Sequence, residues 1–128
     1  MQLYESAENY LEAVLMLEEK NGLVRSVDIA NELNFSKPSV SIAMKKLRQS
    51  GYIEMDDSSL ITLTPAGRAV AEGVYERHRI LTSLLMALGV SEENARADAC
   101  RLEHVLSDES WEKIKAHAAA HGIYPPEK

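Results

Sequence analysis

Residues 26–64, "SVDIANELNFSKPSVSIAMKKLRQSGYIEMDDSSLITLT", decide the fold. Ser26 is a candidate N-cap for a short helix, "VDIANEL", that ends near Asn34. Ser36 caps the next helix. Lys37 and Pro38 take its first turn, where proline's missing N–H costs nothing, and the helix runs to about Gln49 before Gly51 stops it. "YIEM" and "LITLT" are short alternating or β-branched runs around "DDSS", the pattern of a small hairpin.

Outward from this stretch the chain reads as helix. Upstream, residues 5–19 place Ala7, Tyr10, Leu11, Val14, Leu15 and Leu17 at helical spacing, and "KNG" at 20–22 ends the run. Downstream, Thr64 and Pro65 open a long helix to about Leu88, closed by Gly89. Ser91 caps a further helix to about Leu106, and Ser107 caps a last one toward Gly122, before a tail, "YPPEK", that is expected to fray. Helix, helix, turn, helix, hairpin over the first half is the winged helix-turn-helix order, whose second paired helix enters the DNA major groove. The expected fold is mainly α: a winged helix-turn-helix with a small β-hairpin over residues 1–64, then a helical domain over 65–128.

Charge agrees with that order. The net charge of −6 by itself argues against a nucleic-acid partner, but its distribution does not. Residues 36–50 carry Lys37, Lys45, Lys46 and Arg48 and no acid. Residues 1–19 carry Glu5, Glu8, Glu12, Glu18 and Glu19 and no base. The basic run falls on the recognition helix, where it is a footprint for phosphates rather than an ordinary solvated face. The residues expected at DNA are Ser26, Lys37, Pro38, Ser39, Ser41, Ile42, Lys45 and Lys46, with Ile42 placed to touch a thymine methyl. An apolar share of 45% with 27% charged residues is that of a globular protein, and no apolar run is long enough to span a membrane. A single cysteine asks for no oxidising compartment, so a cytoplasmic location is expected. "ILTSLLMALGV", residues 80–90, is more apolar than one small domain readily buries, which points to a homodimer.

The lone cysteine opens "CRLEHVL", residues 100–106. On a helix Cys100, Glu103 and His104 share an arc of about 100°, beside the stripe of Ala95, Ala99, Leu102 and Leu106 rather than within it. A thiolate, a carboxylate and an imidazole so spaced can reach one transition-metal ion, although such triplets also occur without metal. His78 lies between Val74 and Leu81 on the buried stripe of the long helix, and Asn9 and Glu12 lie one turn apart on the first helix. Alone, His78 reads as a core histidine and the other two as solvated polar residues; together they can converge with the triplet. A nucleophilic Cys100 beside His104 lacks an orienting third group, so no enzyme is expected. His117 and His121 form an i, i+4 pair that either binds Zn(II) or simply faces solvent near a helix C-terminus.

"AENYLEAVLMLEEKNGLVRSVDIANELNFSKPSVSIAMKKLRQSGYI", "LTPAGRAVAEGVYERHRIL" and "ADACRLEHVLSDE" resemble the diphtheria toxin repressor family of metal-dependent transcriptional repressors. The resemblance covers residues 5 to about 115 and is most specific at "ACRLEHVLSDE". It implies an N-terminal winged helix, a helical dimerisation domain, Fe(II) or Mn(II) as co-repressor, and a palindromic double-stranded operator. The chain is expected to be a short form without the further C-terminal barrel of larger members, as in the manganese-sensing branch. Cys100, Glu103 and His104 match family ligands, as does His78, while Asn9 and Glu12 fall at the first-helix ligand positions of that branch. The manganese branch has a carboxylate in place of Cys100 and an aspartate in place of Asn9. Thr82 and Arg96 stand where the iron branch has a glutamate and a histidine in a second site, so one well-formed site is expected. A thiolate favours Fe(II), Co(II) or Zn(II) over Mn(II), and Fe(II) ranks first. The alternative is a metal-independent winged-helix regulator of a small organic ligand, with Cys100 in the core.

Overall fold

The structure is a computed structural model that describes residues 5–123; the tail expected to fray lies outside them. The described elements are α1 (Glu5–Asn21), α2 (Ser26–Leu33), α3 (Lys37–Gln49), β1 (Ile53–Met55), β2 (Ile61–Leu63), α4 (Pro65–Ala87), α5 (Glu92–Leu102) and α6 (Asp108–Ala120). They fall into two units, Met1–Glu72 and Gly73–Lys128, with α4 continuing from one into the other. No helix among the described residues is long and apolar enough to cross a membrane.

The first unit is a winged helix-turn-helix. The apolar stripe of α1 carries Leu11, Val14 and Leu15 into its core. The start of α2 differs from the expected cap: Ser26 is the first helical residue and Arg25 precedes it in extended conformation. The Asp28 carboxylate accepts the Arg25 backbone N–H at 2.9 Å, so an acidic side chain in the first turn ties down the helix entry instead of the serine hydroxyl. α3 begins as expected, with the Ser36 hydroxyl accepting the Ser39 N–H and Pro38 in the first turn. Val40, Met44 and Leu47 bury one face of α3, one turn apart, and its opposite face is left to solvent. β1 and β2 pair antiparallel with Ile53 opposite Leu63, and the Ile61 N–H donates to the Val24 carbonyl at 2.8 Å, which fastens the wing to the segment between α1 and α2.

Gly67 and Thr64 join the wing to α4. The Thr64 hydroxyl accepts the Gly67 N–H at 3.1 Å and donates to the Gly51 carbonyl at 2.7 Å, while the Thr64 N–H reaches the Tyr52 carbonyl at 3.1 Å. The helix start is drawn so close to the strand approach that a Cβ on Gly67 would sit 1.9 Å from the Tyr52 oxygen. The glycine is required here for space rather than for its dihedral freedom.

In the second unit α4, α5 and α6 close around Ile80, Leu81, Ala99, Trp111 and Ala118, with Leu102, Leu106 and Ile114 packed against them. Ser91 and Ser107 cap α5 and α6 as expected. The end of α5 corrects the sequence expectation: the helix stops at Leu102, not near Leu106. The Glu103 N–H still makes a helical bond to the Ala99 carbonyl at 3.0 Å, but the Val105 N–H turns back to the Leu102 carbonyl at 3.1 Å. That tightening reverses the chain before Ser107, whose extended backbone is needed to cap α6. No glycine or proline marks the spot, so apolar spacing reads straight through it.

Gly67→Ala is expected to lower stability by about 3 kcal/mol, the upper range for forcing a group into a filled space. Urea denaturation followed by circular dichroism checks this; an unchanged midpoint would mean the junction is looser than its contacts indicate.

Candidate metal centre

Three of the expected ligands meet in the second unit. His78 comes from α4, Glu103 from the end of α5 and His104 from the turn that follows. His78 Nδ1 lies 3.1 Å from Glu103 Oε2 and His104 Nε2 lies 3.2 Å from Glu103 Oε1, so one imidazole faces each carboxylate oxygen. The side chains of Glu103 and His104 are 0% and 1% exposed. Both side chains are therefore inside the structure, Glu103 while still in helical conformation at the end of α5. A carboxylate taken wholly out of water costs several kcal/mol unless compensated. A divalent cation held by Glu103 and the two imidazoles would supply compensating charge. One carboxylate and two imidazoles suit a divalent first-row metal, oxygen and borderline nitrogen being donors these ions accept. The donor set fits.

Cys100 lies one turn earlier on α5 and is exposed. Asn9 and Glu12 belong to α1 of the first unit, Glu12 being buried and Asn9 half-buried. Arg77 is a part of this centre that the sequence reading missed. Its guanidinium donates to the Glu103 carbonyl at 3.4 Å, pairs with Asp108 at 3.3 Å and lies 5.4 Å from the Trp111 ring centroid. It thus braces the turn carrying Glu103 against the start of α6. Only a contact across 31 positions shows this role, and no local pattern announces it. Where a second site was doubted, the Thr82 hydroxyl donates to the His78 carbonyl at 2.7 Å and Arg96 pairs with Glu92 at 3.5 Å. A guanidinium has no lone pair for a metal.

In the first unit, α3 exposes Lys37, Pro38, Ser39, Ser41, Ile42, Lys45 and Lys46 on the face away from the core, while Ser26 on α2 is half-buried. A basic exposed recognition helix with a wing after it defines a DNA-binding unit, and the acid–imidazole cluster of the second unit defines a metal-binding one. The class is a metal-dependent transcriptional repressor, not an enzyme. Residues 2–59 match the iron dependent repressor N-terminal DNA-binding domain, and residues 64–120 match the iron dependent repressor metal-binding and dimerisation domain. The chain belongs to the iron dependent repressor family, the one that the sequence resembles.

Among similar proteins, the transcriptional regulator MntR of Salmonella typhimurium is 37% identical over 118 residues, covering 92% of this chain and 75% of that protein. The structure of the manganese regulator SloR superposes with a TM-score of 0.78 at 28% identity, covering 93% of this chain and 55% of SloR. A manganese-dependent transcriptional repressor in complex with manganese gives 0.79 at 29% identity, covering 88% of this chain and 52% of that one. The chain thus spans about half the length of these solved repressors.

Arg77→Ala is expected to destabilise the second unit by about 1 kcal/mol, mainly through the lost ring contact and the bond to the Glu103 carbonyl. Asp108→Asn should cost less than half of that, because the Asp108 side chain is 99% exposed and its ion pair is screened. Urea midpoints of the two variants decide it; equal losses would assign the brace to the ion pair.

Proposed function

We propose that this chain is a homodimeric repressor of metal-ion homeostasis genes that binds a palindromic double-stranded operator when loaded with a divalent metal, Fe(II) ahead of Mn(II). The observation that carries this reading is the buried Glu103 carboxylate held between His78 and His104. Asn9, Glu12 and Cys100 complete the proposed ligand set. A bound divalent cation supplies positive charge in place of the protons on these donors. Glu12 and Asn9 on the DNA-binding unit would then be tied to His78, Cys100, Glu103 and His104 of the second unit. Two recognition helices of a dimer would keep a spacing near one DNA turn, roughly 34 Å. Met86, Leu88 and Val105, apolar and exposed in the single chain, support a dimer through the second unit.

The choice of metal rests on Cys100. A thiolate is a softer donor than a carboxylate and moves preference from Mn(II) toward Fe(II) and Co(II). The relatives named for manganese make Mn(II) the rival outcome. Each donor must lose its proton to bind, so operator affinity falls as pH drops through the range where imidazoles and carboxylates protonate.

Anaerobic operator titrations with Fe(II), Mn(II), Co(II) and Zn(II) test the reading. Wild type should respond to Fe(II) and Co(II) at lower concentration than to Mn(II), Cys100→Glu should move the order toward Mn(II), and Cys100→Ala should weaken every metal. A Co(II) complex without near-ultraviolet thiolate charge-transfer absorption, yet binding operator tightly, would remove Cys100 from the ligand set. Operator binding equal with and without metal would end the regulatory reading.

At the DNA, Lys45→Ala should weaken all sequences alike and lower the salt slope by about one phosphate contact, whereas Ser39→Ala or Ile42→Ala should alter preference among operators. An unchanged slope in Lys45→Ala would place the recognition face elsewhere.

A further inference from the structure

His117 and His121 stand one turn apart on the last described helix, both exposed, with ring centroids 4.0 Å apart and planes inclined by 29°. His121 Nδ1 lies 3.0 Å from the His117 carbonyl oxygen. A carbonyl can only accept, so the contact places the proton on Nδ1 and leaves Nε2 of the neutral ring with its lone pair bare. An imidazole whose other nitrogen is tethered to a backbone carbonyl is oriented as metal-ligating histidines are. His121 is also the C-cap of α6, so both rings sit at the negative end of the helix dipole, where a cation is favoured. The rings are stacked in this structure, so the exposed His117 side chain would have to rotate for both nitrogens to face one ion.

We infer that His117 and His121 form a second metal site, separate from the His78–Glu103–His104 centre, for borderline ions such as Ni(II), Cu(II) and Zn(II). Two neutral nitrogen donors with no carboxylate discriminate against Mn(II), which prefers oxygen, and favour the later first-row ions. Two protein donors leave the remaining positions to water, so the site binds more weakly than the buried centre and exchanges with solvent. The inference does not depend on the regulatory reading, because neither residue belongs to that ligand set.

The test uses the full chain with Ni(II) alone and Mn(II) alone, followed by calorimetry and by the histidine ring signals in proton–nitrogen spectra. Wild type should take one more Ni(II) per chain than the double variant His117→Ala/His121→Ala, and each single variant should lose that ion as well. Mn(II) stoichiometry should be the same in all four proteins, which also shows that the variants remain folded. In wild type the ring signals of His117 and His121 should be the ones broadened by the additional Ni(II). Equal Ni(II) stoichiometry in wild type and double variant overturns the site. So do single variants that retain the ion, or Ni(II) broadening confined to His78 and His104. Loss of Mn(II) binding in the double variant would overturn its separateness from the buried centre.

Discussion

Glu103 carries its carboxylate out of contact with water and sets each of its oxygens 3.1–3.2 Å from an imidazole nitrogen. A buried charge of this kind is tolerated only where compensation is built around it, and that requirement organises the second unit. His78 must come from the middle of α4, His104 from the turn directly after, and the turn itself must be held. Arg77 holds it from one side through the Glu103 carbonyl and the face of Trp111. The apolar cluster of Ile80, Leu81, Ala99 and Trp111 holds it from below. Removing one partner of such a group would leave an uncompensated charge in the interior.

The first unit obeys a different constraint, steric instead of electrostatic. Thr64 and Gly67 bring the start of α4 against the Gly51 and Tyr52 carbonyls, and the same stretch ends the wing. α4 therefore begins as part of the DNA-binding unit and ends as part of the metal-binding one. One continuous helix contributes the wing junction at Gly67 and the proposed ligand His78.

The proposed donor set differs from the one that the family resemblance implies for the manganese branch. In the proposed ligand set Asn9 would offer a neutral amide oxygen and Cys100 a soft sulfur, so only Cys100 would lower the oxygen character below what manganese prefers. Thr82 turns its hydroxyl back onto the helix, and Arg96, paired with Glu92, has no lone pair to offer a metal. Family membership alone does not carry a metal preference from one chain to another, since a change of one donor atom is enough to reorder affinities.

The winged helix-turn-helix was legible in residues 26–64 because its signals are local: Ser36 and Pro38 start α3, Gly51 ends it, and β-branched runs flank a polar turn. The face of α3 that meets solvent was legible too, since helical spacing alone separates Val40, Met44 and Leu47 from Lys45 and Lys46. Cys100, Glu103, His104 and His78 drew notice as candidate ligands through residue type and spacing, and their ranking came from the family resemblance. The sequence could not show that α5 stops at Leu102, because its end is imposed by the chain reversal into Ser107 and not by a helix-breaking residue. It put Glu103 and His104 beside the apolar stripe, and could not show that packing buries both side chains. The brace from Arg77 to Asp108 and the close approach of Gly67 to Tyr52 likewise belong to the tertiary structure, whereas the Asp28 contact with Arg25 is local and spans three residues. Local propensity fixes where elements begin and which face is apolar. Which polar groups end up paired in the interior depends on contacts between distant positions, and those exist only once the chain has folded.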